Sequence, residues 1–388
     1  MNDFDFFSPT RFLFGRGQEQ QVGALCRECG ARHVLVHHGR STAPALLDRV
    51  KNSLHEAGLA VSVLGGVQPN PQVALAREGI ALCKEQGVDF ILAVGGGSVI
   101  DSAKCIGVGA LYDGDVWDFF EGAMSGVSKT LPVGCILTLA AAGSEGSRSC
   151  IMKNGAVKQG LNDEKIRPVF SILDPELCYT LPPAQTANGI CDMMSHNMER
   201  YFTASSDVFL SDRHLEANMK TLVAYGPKAL QNPQDYQARS ALMWCGTLSH
   251  NNLFGVDRDQ EWVCHLISDN VIGRKYDTAH GANLAVVTPC WMQHVLDHDA
   301  GVDRLAMFAV NVMGVENDFP DQKATAQRGI DALRRFFTSL GLPATLSELG
   351  VAPDEDLSAL AQYAPPQVGL FYPVTPDDVL AILQRAAQ

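Results

Sequence analysis

The feature that most constrains the fold is a buried strand that runs into three consecutive glycines and then into a helix. In "ILAVGGGSVIDSAK" the apolar run meets Gly95, Gly96 and Gly97, and helical spacing follows. Glycines let a backbone approach a ligand closely, and the N-terminus of the next helix offers free N–H groups and a positive dipole end that suit a phosphate. The spacing is not G-x-G-x-x-G, so a tight turn that is required by packing is the alternative explanation.

The first part of the chain repeats this alternation of strand and helix. Runs typical of strands and their turns lie at residues 33–39, 60–66 and 133–145. After Pro183 most segments are long and have helical spacing, with few β-branched runs. We therefore predict an α/β fold plus an all-α fold, namely a Rossmann-like parallel-sheet domain at residues 1–180 and a helical domain at residues 181–388. The ligand cleft is expected between the two domains, at the carboxyl ends of the strands.

Length and charge exclude several classes of function. A chain of 388 residues is too long for one ordinary core, which supports two domains. Its formal charge of −13 disfavours nucleic acid and anionic membranes as partners, because both require a basic surface. The N-terminus, "MNDFDFFSPTRFLFG", lacks the basic and then apolar order of a signal peptide. The 11 cysteines are scattered, so we expect reduced thiols and a cytoplasmic protein.

The end of an earlier strand, "LVHHGRST", bears on the choice of nucleotide. Dinucleotide-binding domains often carry an acid at this place, which binds the ribose hydroxyls. Here the residues are Gly39 and Arg40. A small residue beside an arginine suits a 2′-phosphate, so we predict NADP, with NAD as the alternative. Arg40 can also be explained as a solvated surface charge.

One acid and three imidazoles stand out in the second part of the chain. Asp192 and His196, in "ANGICDMMSHNMER", are four residues apart and share one face of a helix. His265 and His280 also lie in apolar surroundings. The four side chains fit a site for a divalent transition metal with one position open for substrate, and their N/O donors suit Fe²⁺ or Zn²⁺. A hydrogen-bonded structural pair is the alternative for Asp192 and His196. Neither a G-x-S-x-G elbow nor an H-E-x-x-H motif is present.

Several motifs together resemble the iron-containing (group III) alcohol dehydrogenase family, and within it the NADP-dependent, butanol-dehydrogenase-like branch. They are "SPTRFLFGRG", "VQPNP", "ILAVGGGSVIDSAK", "LTLAAAGSE", "RPVFSILDPELCYTLPPAQTANGICDMMSHNMERYFT", "YDTAHGANLAVVTPCWMQHVL" and "FFTSLGLPATLSELGV". The resemblance implies a dehydroquinate synthase-like fold with the metal held by Asp192, His196, His265 and His280. It also implies a homodimer. The cofactor-binding candidates, from the residues and the resemblance together, are Gly39, Arg40, Asn70, Gly95, Gly96, Gly97, Ser98, Asp101, Thr138, Leu139 and Lys158.

The sequence departs from the family in three respects. Ala140 and Ala142 replace a proline and a threonine, which removes a hydroxyl that is expected near the cofactor. Asp269 stands where the family often has a histidine that is thought to relay protons. The gap between His265 and His280 is one residue longer than usual, so the loop must bulge if His280 is to reach the metal.

The resemblance implies reversible hydride transfer between NADP(H) and a small alcohol or aldehyde that is bound to the metal in the interdomain cleft. Asp269, as a proton carrier, and Asp101, near nicotinamide and substrate, are the catalytic candidates. Two alternatives remain open. One is a related activity on the same fold, either a glycerol-dehydrogenase-like polyol oxidoreductase that uses NAD or a dehydroquinate synthase. The other is a degenerate member that binds nucleotide without turnover, because of the altered positions.

Overall fold

The computed structural model describes residues 1–388, and the chain divides into two compact units. One comprises Phe7–Thr180, and the other comprises Leu181–Gln388 together with Met1–Phe6. The sequence analysis assigns the first six residues to the N-terminal domain, whereas the structure groups them with the helical unit. There the side-chain amide of Asn2 donates a hydrogen bond to the carbonyl of Asp257. None of the helices combines the length and the apolar character that a membrane crossing requires.

The first unit is built on a parallel sheet. Its strands are β1 (Arg11–Phe14), β2 (His33–Gly39), β3 (Ala60–Val67), β4 (Phe90–Gly95), β5 (Val133–Leu137), β6 (Ser149–Asn154), β7 (Val157–Asn162) and β8 (Phe170–Leu173). Its helices are α1 (Val22–Glu28), α2 (Pro44–Glu56), α3 (Val73–Gln86) and α4 (Gly97–Ala110). Six strands form one sheet in the order β1-β8-β5-β4-β2-β3, and all its pairs are parallel. Every residue of β4 is buried, which explains its unbroken apolar sequence.

The strand order reverses beside β4. Strand β2 lies between β3 and β4, and the chain continues from β4 to β5 on the other side. His38 is in register with Val94, so the carboxyl ends of β2 and β4 lie next to each other. In open parallel sheets, ligands bind outside the strand ends at such a reversal. Gly39, Arg40 and the glycine turn after β4 are therefore at the expected place for a nucleotide.

Strands β6 and β7 form a separate antiparallel hairpin, which the sequence analysis did not predict. Asn154 is in register with Val157, so two residues connect the strands, and Gly155 takes the positive φ of +61° that such a turn needs. Strand β6 packs against α4 and α3. The backbone N–H of Lys153 donates to the carbonyl of Pro71, which links the hairpin to the loop after β3.

The second unit is helical. Its helices are α5 (Pro183–Tyr201), α6 (Phe209–Gln231), α7 (Tyr236–His250), α8 (Val263–Leu266), α9 (Gly273–Lys275), α10 (His280–Asp297), α11 (Val302–Asn311), α12 (Gln322–Ser339), α13 (Leu357–Ala361) and α14 (Pro376–Ala386). A π-helix, Ile267–Ile272, connects α8 and α9. Helix α5 is buried over most of its length and packs against α6, α7 and α10. The parallel-sheet domain and the helical domain that the sequence predicted are both confirmed.

Candidate metal centre and glycine turn

The four residues predicted to bind a metal lie around one carboxylate oxygen. Oδ1 of Asp192 is 3.5 Å from Nε2 of His280, 3.7 Å from Nε2 of His265 and 3.7 Å from Nδ1 of His196. Asp192 and His196 are neighbours on α5, His265 lies in α8, and His280 is the first residue of α10. The ligand atoms of Asp192, His265 and His280 all lie within 4.8 Å of one another, and His196 is not part of this set of three.

Unpartnered polar atoms provide a test of whether a metal fits here. Asp192 Oδ1, His265 Nε2 and His196 Nδ1 are buried and have no hydrogen-bond partner. Leaving a buried donor or acceptor unpaired costs about 1–3 kcal/mol, and more for a charged group, so such atoms are rare in folded proteins. Here two of them, His265 Nε2 and His196 Nδ1, face the third, Oδ1 of Asp192. Carboxylate and imidazole donors suit divalent transition metals, and the residues present therefore fit a metal ion.

Two of the four residues have the protonation state that binds a metal, and the other two must release protons. Burial opposes ionisation of Asp192, but the facing imidazoles outweigh it and hold the pKa of its carboxyl well below the usual range. Burial also lowers the pKa of His196 well below its ordinary value, so this imidazole is neutral near pH 7. A neutral imidazole and an ionised carboxylate are the forms that bind metals. Burial opposes the charged form of His265 and His280, but the facing carboxylates outweigh it and raise the pKa of both imidazoles, that of His280 to about 9, so metal binding must displace these protons.

Carboxylates stand behind two of the imidazoles. Oε1 of Glu199 lies 3.0 Å from Nδ1 of His265 and accepts the backbone N–H of the same residue at 2.9 Å. Oδ1 of Asp269 lies 2.8 Å from Nδ1 of His280. Such partners hold the proton on Nδ1 and leave the Nε2 lone pair for a ligand. Glu199 is not among the residues predicted from the sequence, although residues 192, 196 and 199 lie on one face of α5.

A stack of imidazoles surrounds the centre. The ring centroids of His250 and His196 are 4.3 Å apart, and those of His196 and His265 are 4.7 Å apart. Arg200 Nη2 lies 3.2 Å from Nδ1 of His250 and also stacks over the ring of Trp262. Trp262 has the unusual φ of +63° for a bulky residue, and its ring meets the edges of the stacked imidazoles. The sequence analysis did not identify His250, since a single histidine before two asparagines carries no periodic signal.

The π-helix accounts for the longer spacing between the last two ligands. A π turn contains one residue more than an α turn, and Ile267–Ile272 lies between His265 and His280. The extra residue is thus absorbed without moving His280 away from Asp192. The carboxylate of Asp269, which is predicted to carry protons, contacts the Nδ1 side of His280.

The glycine turn after β4 packs tightly in its own unit. A Cβ on Gly95 would lie 2.4 Å from Val99, and one on Gly96 would lie 3.0 Å from Leu139. The backbone N–H of Thr138 donates to the carbonyl of Gly95. Packing therefore requires Gly95 and Gly96, which agrees with the alternative explanation that the glycines form a tight turn. The turn also opens α4, whose first N–H groups have no acceptor within the helix, so a phosphate site remains compatible with the same geometry.

Two charged residues of α4 hold the loop that faces this turn. Asp101 accepts hydrogen bonds from Ser144 Oγ at 2.5 Å and from the backbone N–H of Ile151 at 3.1 Å. The fully buried ammonium of Lys104 donates to the carbonyls of residues 144, 147 and 149 at 2.7–3.0 Å. Asp101, a catalytic candidate from the sequence, is thus bonded through one oxygen to this loop and through the other to β6. Lys104 was missed, although a lysine in an apolar helix is an uncommon feature.

The other predicted cofactor contacts occupy scattered positions. Gly39 ends β2 beside Thr42 and Val99, and Arg40 is exposed. Asn70 has a positive φ of +55° in the loop between β3 and α3. The remaining two candidates are Ser98, in the first turn of α4, and Lys158, on β7.

Comparison with known proteins identifies the family. The family described as "Iron-containing alcohol dehydrogenase" matches residues 9–175, and "Fe-containing alcohol dehydrogenase family, C-terminal" matches residues 186–387. NADH-dependent butanol dehydrogenase A of Clostridium acetobutylicum is 36% identical over 100% of both chains. The NADPH-dependent aldehyde reductase YqhD of Escherichia coli is 34% identical over 90% of each chain.

A solved structure agrees with these relatives. The crystal structure of NADH-dependent butanol dehydrogenase A from Thermotoga maritima has a TM-score of 0.94 and 32% identity, and the match covers 100% of this chain and 99% of the other. The family that the sequence motifs predicted is confirmed over both units. The chain therefore belongs to the iron-containing alcohol dehydrogenase family and is an oxidoreductase of the alcohol dehydrogenase class.

Proposed function

We propose that this chain catalyses reversible hydride transfer between NADP(H) and a small aldehyde or alcohol at a divalent metal held by Asp192, His196, His265 and His280. The observation that carries the proposal is the set of unpartnered buried atoms around Oδ1 of Asp192. A bound Fe²⁺ or Zn²⁺ would supply a Lewis acid that polarises the substrate carbonyl or favours the alkoxide of the alcohol. Relatives that reduce aldehydes or oxidise butanol support this substrate class.

The residues of the helical unit have two tasks. Asp192 supplies the negative charge of the ligand set, and its burial strengthens every electrostatic interaction made there. Glu199 and Asp269 hold the imidazoles of His265 and His280 with Nε2 directed at Asp192. Rings fixed in this way lose little freedom when a ligand binds, which preorganises the site for the substrate oxygen.

The residues of the first unit bind and orient the cofactor. The glycine turn at Gly95–Gly97 and the N-terminus of α4 suit the diphosphate. Asp101 and Lys104 fix the loop that packs on this turn. Arg40, exposed at the end of β2, suits the 2′-phosphate of NADP. The relatives include NADH-dependent and NADPH-dependent enzymes, so the preference for NADP rests on Gly39 and Arg40.

Metal analysis of the purified protein, combined with NADPH oxidation in the presence of butyraldehyde, tests this function. We expect about one Fe or Zn per chain and aldehyde-dependent turnover. His265→Ala should lose both while the protein stays folded. Glycerol with NAD serves as the comparison substrate for a polyol oxidoreductase. Absence of metal after reconstitution, together with absence of turnover, would contradict the proposal and favour a nucleotide-binding protein without this activity.

A further inference from the structure

We propose that Asp269 is a positioning residue that fixes His280 as a metal ligand, and that the π-helix Ile267–Ile272 is the device that brings it there. The inference rests on the proposed metal centre. It concerns the segment between His265 and His280. This segment carries Asp269 where the family often has a histidine, and it is one residue longer than usual. The two departures then have a single structural explanation, because the insertion and the acid act on the same imidazole.

The geometry of His280 supports this role. Oδ1 of Asp269 lies 2.8 Å from Nδ1, while Nε2, on the far edge of the ring, lies 3.5 Å from Oδ1 of Asp192. A neutral imidazole carries its proton on one nitrogen only. A carboxylate at Nδ1 selects the tautomer with the proton there, which leaves the Nε2 lone pair directed toward Asp192.

His265 shows the same arrangement a second time. Oε1 of Glu199 lies 3.0 Å from its Nδ1, and its Nε2 lies 3.7 Å from Oδ1 of Asp192. Glu199 comes from α5, whereas Asp269 comes from the segment between the two histidines. Two imidazoles that face the same carboxylate are thus each held from behind by an acid. This repetition favours a function in ligand orientation over a chance surface contact.

The π-helix explains why Asp269 reaches the back of His280. In an α-helix the residue four positions after His265 would share its face and would project toward the same centre. The backbone turns less per residue in a π-helix than in an α-helix, so Asp269 is rotated relative to the position that it would have in an α-helix. Its carboxylate is then free to meet Nδ1 of His280 at the start of α10.

Ser268 is the competing partner for the same nitrogen. Its hydroxyl Oγ lies 3.0 Å from Nδ1 of His280, and the residue is fully buried. A hydrogen bond to an ionised acceptor is roughly twice as strong as one between neutral groups. Asp269 should therefore dominate. Ser268 provides the matched control, because Ser268→Ala removes a neutral neighbour of the same atom.

The test measures metal affinity rather than turnover. Metal-stripped full-length protein is titrated with Zn²⁺ and with Co²⁺ against a competing chelator, and the Co²⁺ visible spectrum reports ligand number and geometry. We expect Asp269→Ala to bind both metals about 10–100-fold more weakly and to change the Co²⁺ spectrum. Asp269→Asn, which keeps an acceptor without the charge, should show a smaller loss, and Ser268→Ala should bind as wild type does.

Each result has a distinct meaning. If the wild type binds no metal, the proposed metal centre fails. If the wild type binds metal and Asp269→Ala binds it equally well with an unchanged Co²⁺ spectrum, the positioning role alone fails. A loss in Ser268→Ala with none in Asp269→Ala would also overturn the inference. Thermal melting of each metal-free variant shows whether it is folded. Should Asp269→Ala not fold, an unchanged affinity in the near-isosteric Asp269→Asn overturns the proposal.

Discussion

Gly39 and Arg40 end β2, where dinucleotide-binding domains that use NAD carry an acid for the ribose hydroxyls. A guanidinium that binds a phosphate contributes about 1.5–3 kcal/mol. We therefore expect Arg40→Ala to lower kcat/KM for NADPH about 10–100-fold and to leave kcat/KM for NADH within about twofold. Steady-state kinetics with both cofactors would measure this.

Arg32→Ala is a suitable control for that experiment. Arg32 is exposed just before β2 begins, at the opposite end of the strand, and pairs with Asp89 at 2.9 Å. Surface pairs of this kind contribute little to stability, so Arg32→Ala should stay folded. Because Arg32 lies at the far end of the strand, the variant should keep the wild-type kcat/KM for both NADPH and NADH. An equal loss with NADPH and NADH in Arg40→Ala would show that the arginine does not contact a 2′-phosphate.

Glu261 gives the helical unit a pH-dependent contribution to stability. Its buried carboxylate accepts the backbone N–H groups of Leu370, Phe371 and Tyr372. Burial is the main cause that raises the pKa of Glu261 from 4.5 to about 7, although the three amides oppose it. The folded state thus holds this proton more tightly than the unfolded state does. The contribution of Glu261 to the free energy of unfolding should fall as pH rises from 4.5 to about 7.

Urea unfolding of the wild type and of Glu261→Gln would measure this contribution. The glutamine does not titrate, so the difference in unfolding free energy between the two proteins isolates Glu261. We expect that difference to drop by about 3 kcal/mol in total across this pH interval. A difference that grows with pH would show that the three backbone amides stabilise the anion more than burial destabilises it.

At the residue scale, the sequence predicted the proposed metal ligands but not the side chains that contact and orient them. Asp192, His265 and His280 were found because acids and imidazoles in apolar segments are rare. Glu199, from α5, contacts His265, and His250, from the end of α7, contacts His196, both through the tertiary fold. Only the spacing of Glu199 on α5 carried a signal. The partner of an imidazole depends on packing between helices, which residue types and periodicity do not specify.

At the scale of elements, α4 depends on one buried cation. Lys104 donates to three loop carbonyls and lies beside Asp101, and burial lowers its pKa. Lys104→Met would remove these donors and leave the half-buried carboxylate of Asp101 without its neighbouring charge. We expect the free energy of unfolding of the first unit to fall by about 3–5 kcal/mol. The measurement is hydrogen exchange of β4 and α4 peptides in increasing urea.

Lys84→Met is the matched control for Lys104→Met. Lys84 lies on α3 of the same unit, is exposed, and donates to one carbonyl, that of Tyr112. Its loss should change the free energy of unfolding by less than about 0.5 kcal/mol. Similar effects in the two variants would mean that the carbonyls around Lys104 find other donors. The hydrogen bonds from Lys104 would then not be needed to hold the loop.

The elements themselves differed in how well the sequence specified them. The strands β2, β3 and β4 follow from apolar runs that end at or next to glycines, β5 follows from an apolar run alone, and the helices between them follow from spacing. The hairpin β6–β7 has only a single Asn-Gly signal between mixed sequences, at residues 154–155. The π-helix has no propensity of its own, because it arises where one residue is inserted into a helix whose ends are fixed. The only sign of it in the sequence is that the segment between His265 and His280 is one residue longer than usual in the family.

At the scale of the whole molecule, the proposed function assigns a separate binding task to each of the two units. The proposed metal ligands all belong to Leu181–Gln388, and the proposed cofactor contacts all belong to Phe7–Thr180. A ligand that binds only the folded state stabilises that state by about 2.7 kcal/mol at a concentration of 100 times its Kd. Metal should therefore protect the helical unit, and the dinucleotide should protect the sheet unit.

Hydrogen exchange of the full-length protein would test this division. Chelation of the metal should speed exchange in peptides from α5, α8 and α10. These three helices carry the proposed ligands, so removal of the metal removes the ion that links them. Peptides from β2, β4 and α4 should not respond to chelation and should slow when NADP is added. The variant His265→Ala provides the control, since it should exchange as the chelated protein does and show no response to the chelator. If chelation instead accelerated exchange mainly around the glycine turn, the assignment of the metal to the helical unit would be wrong.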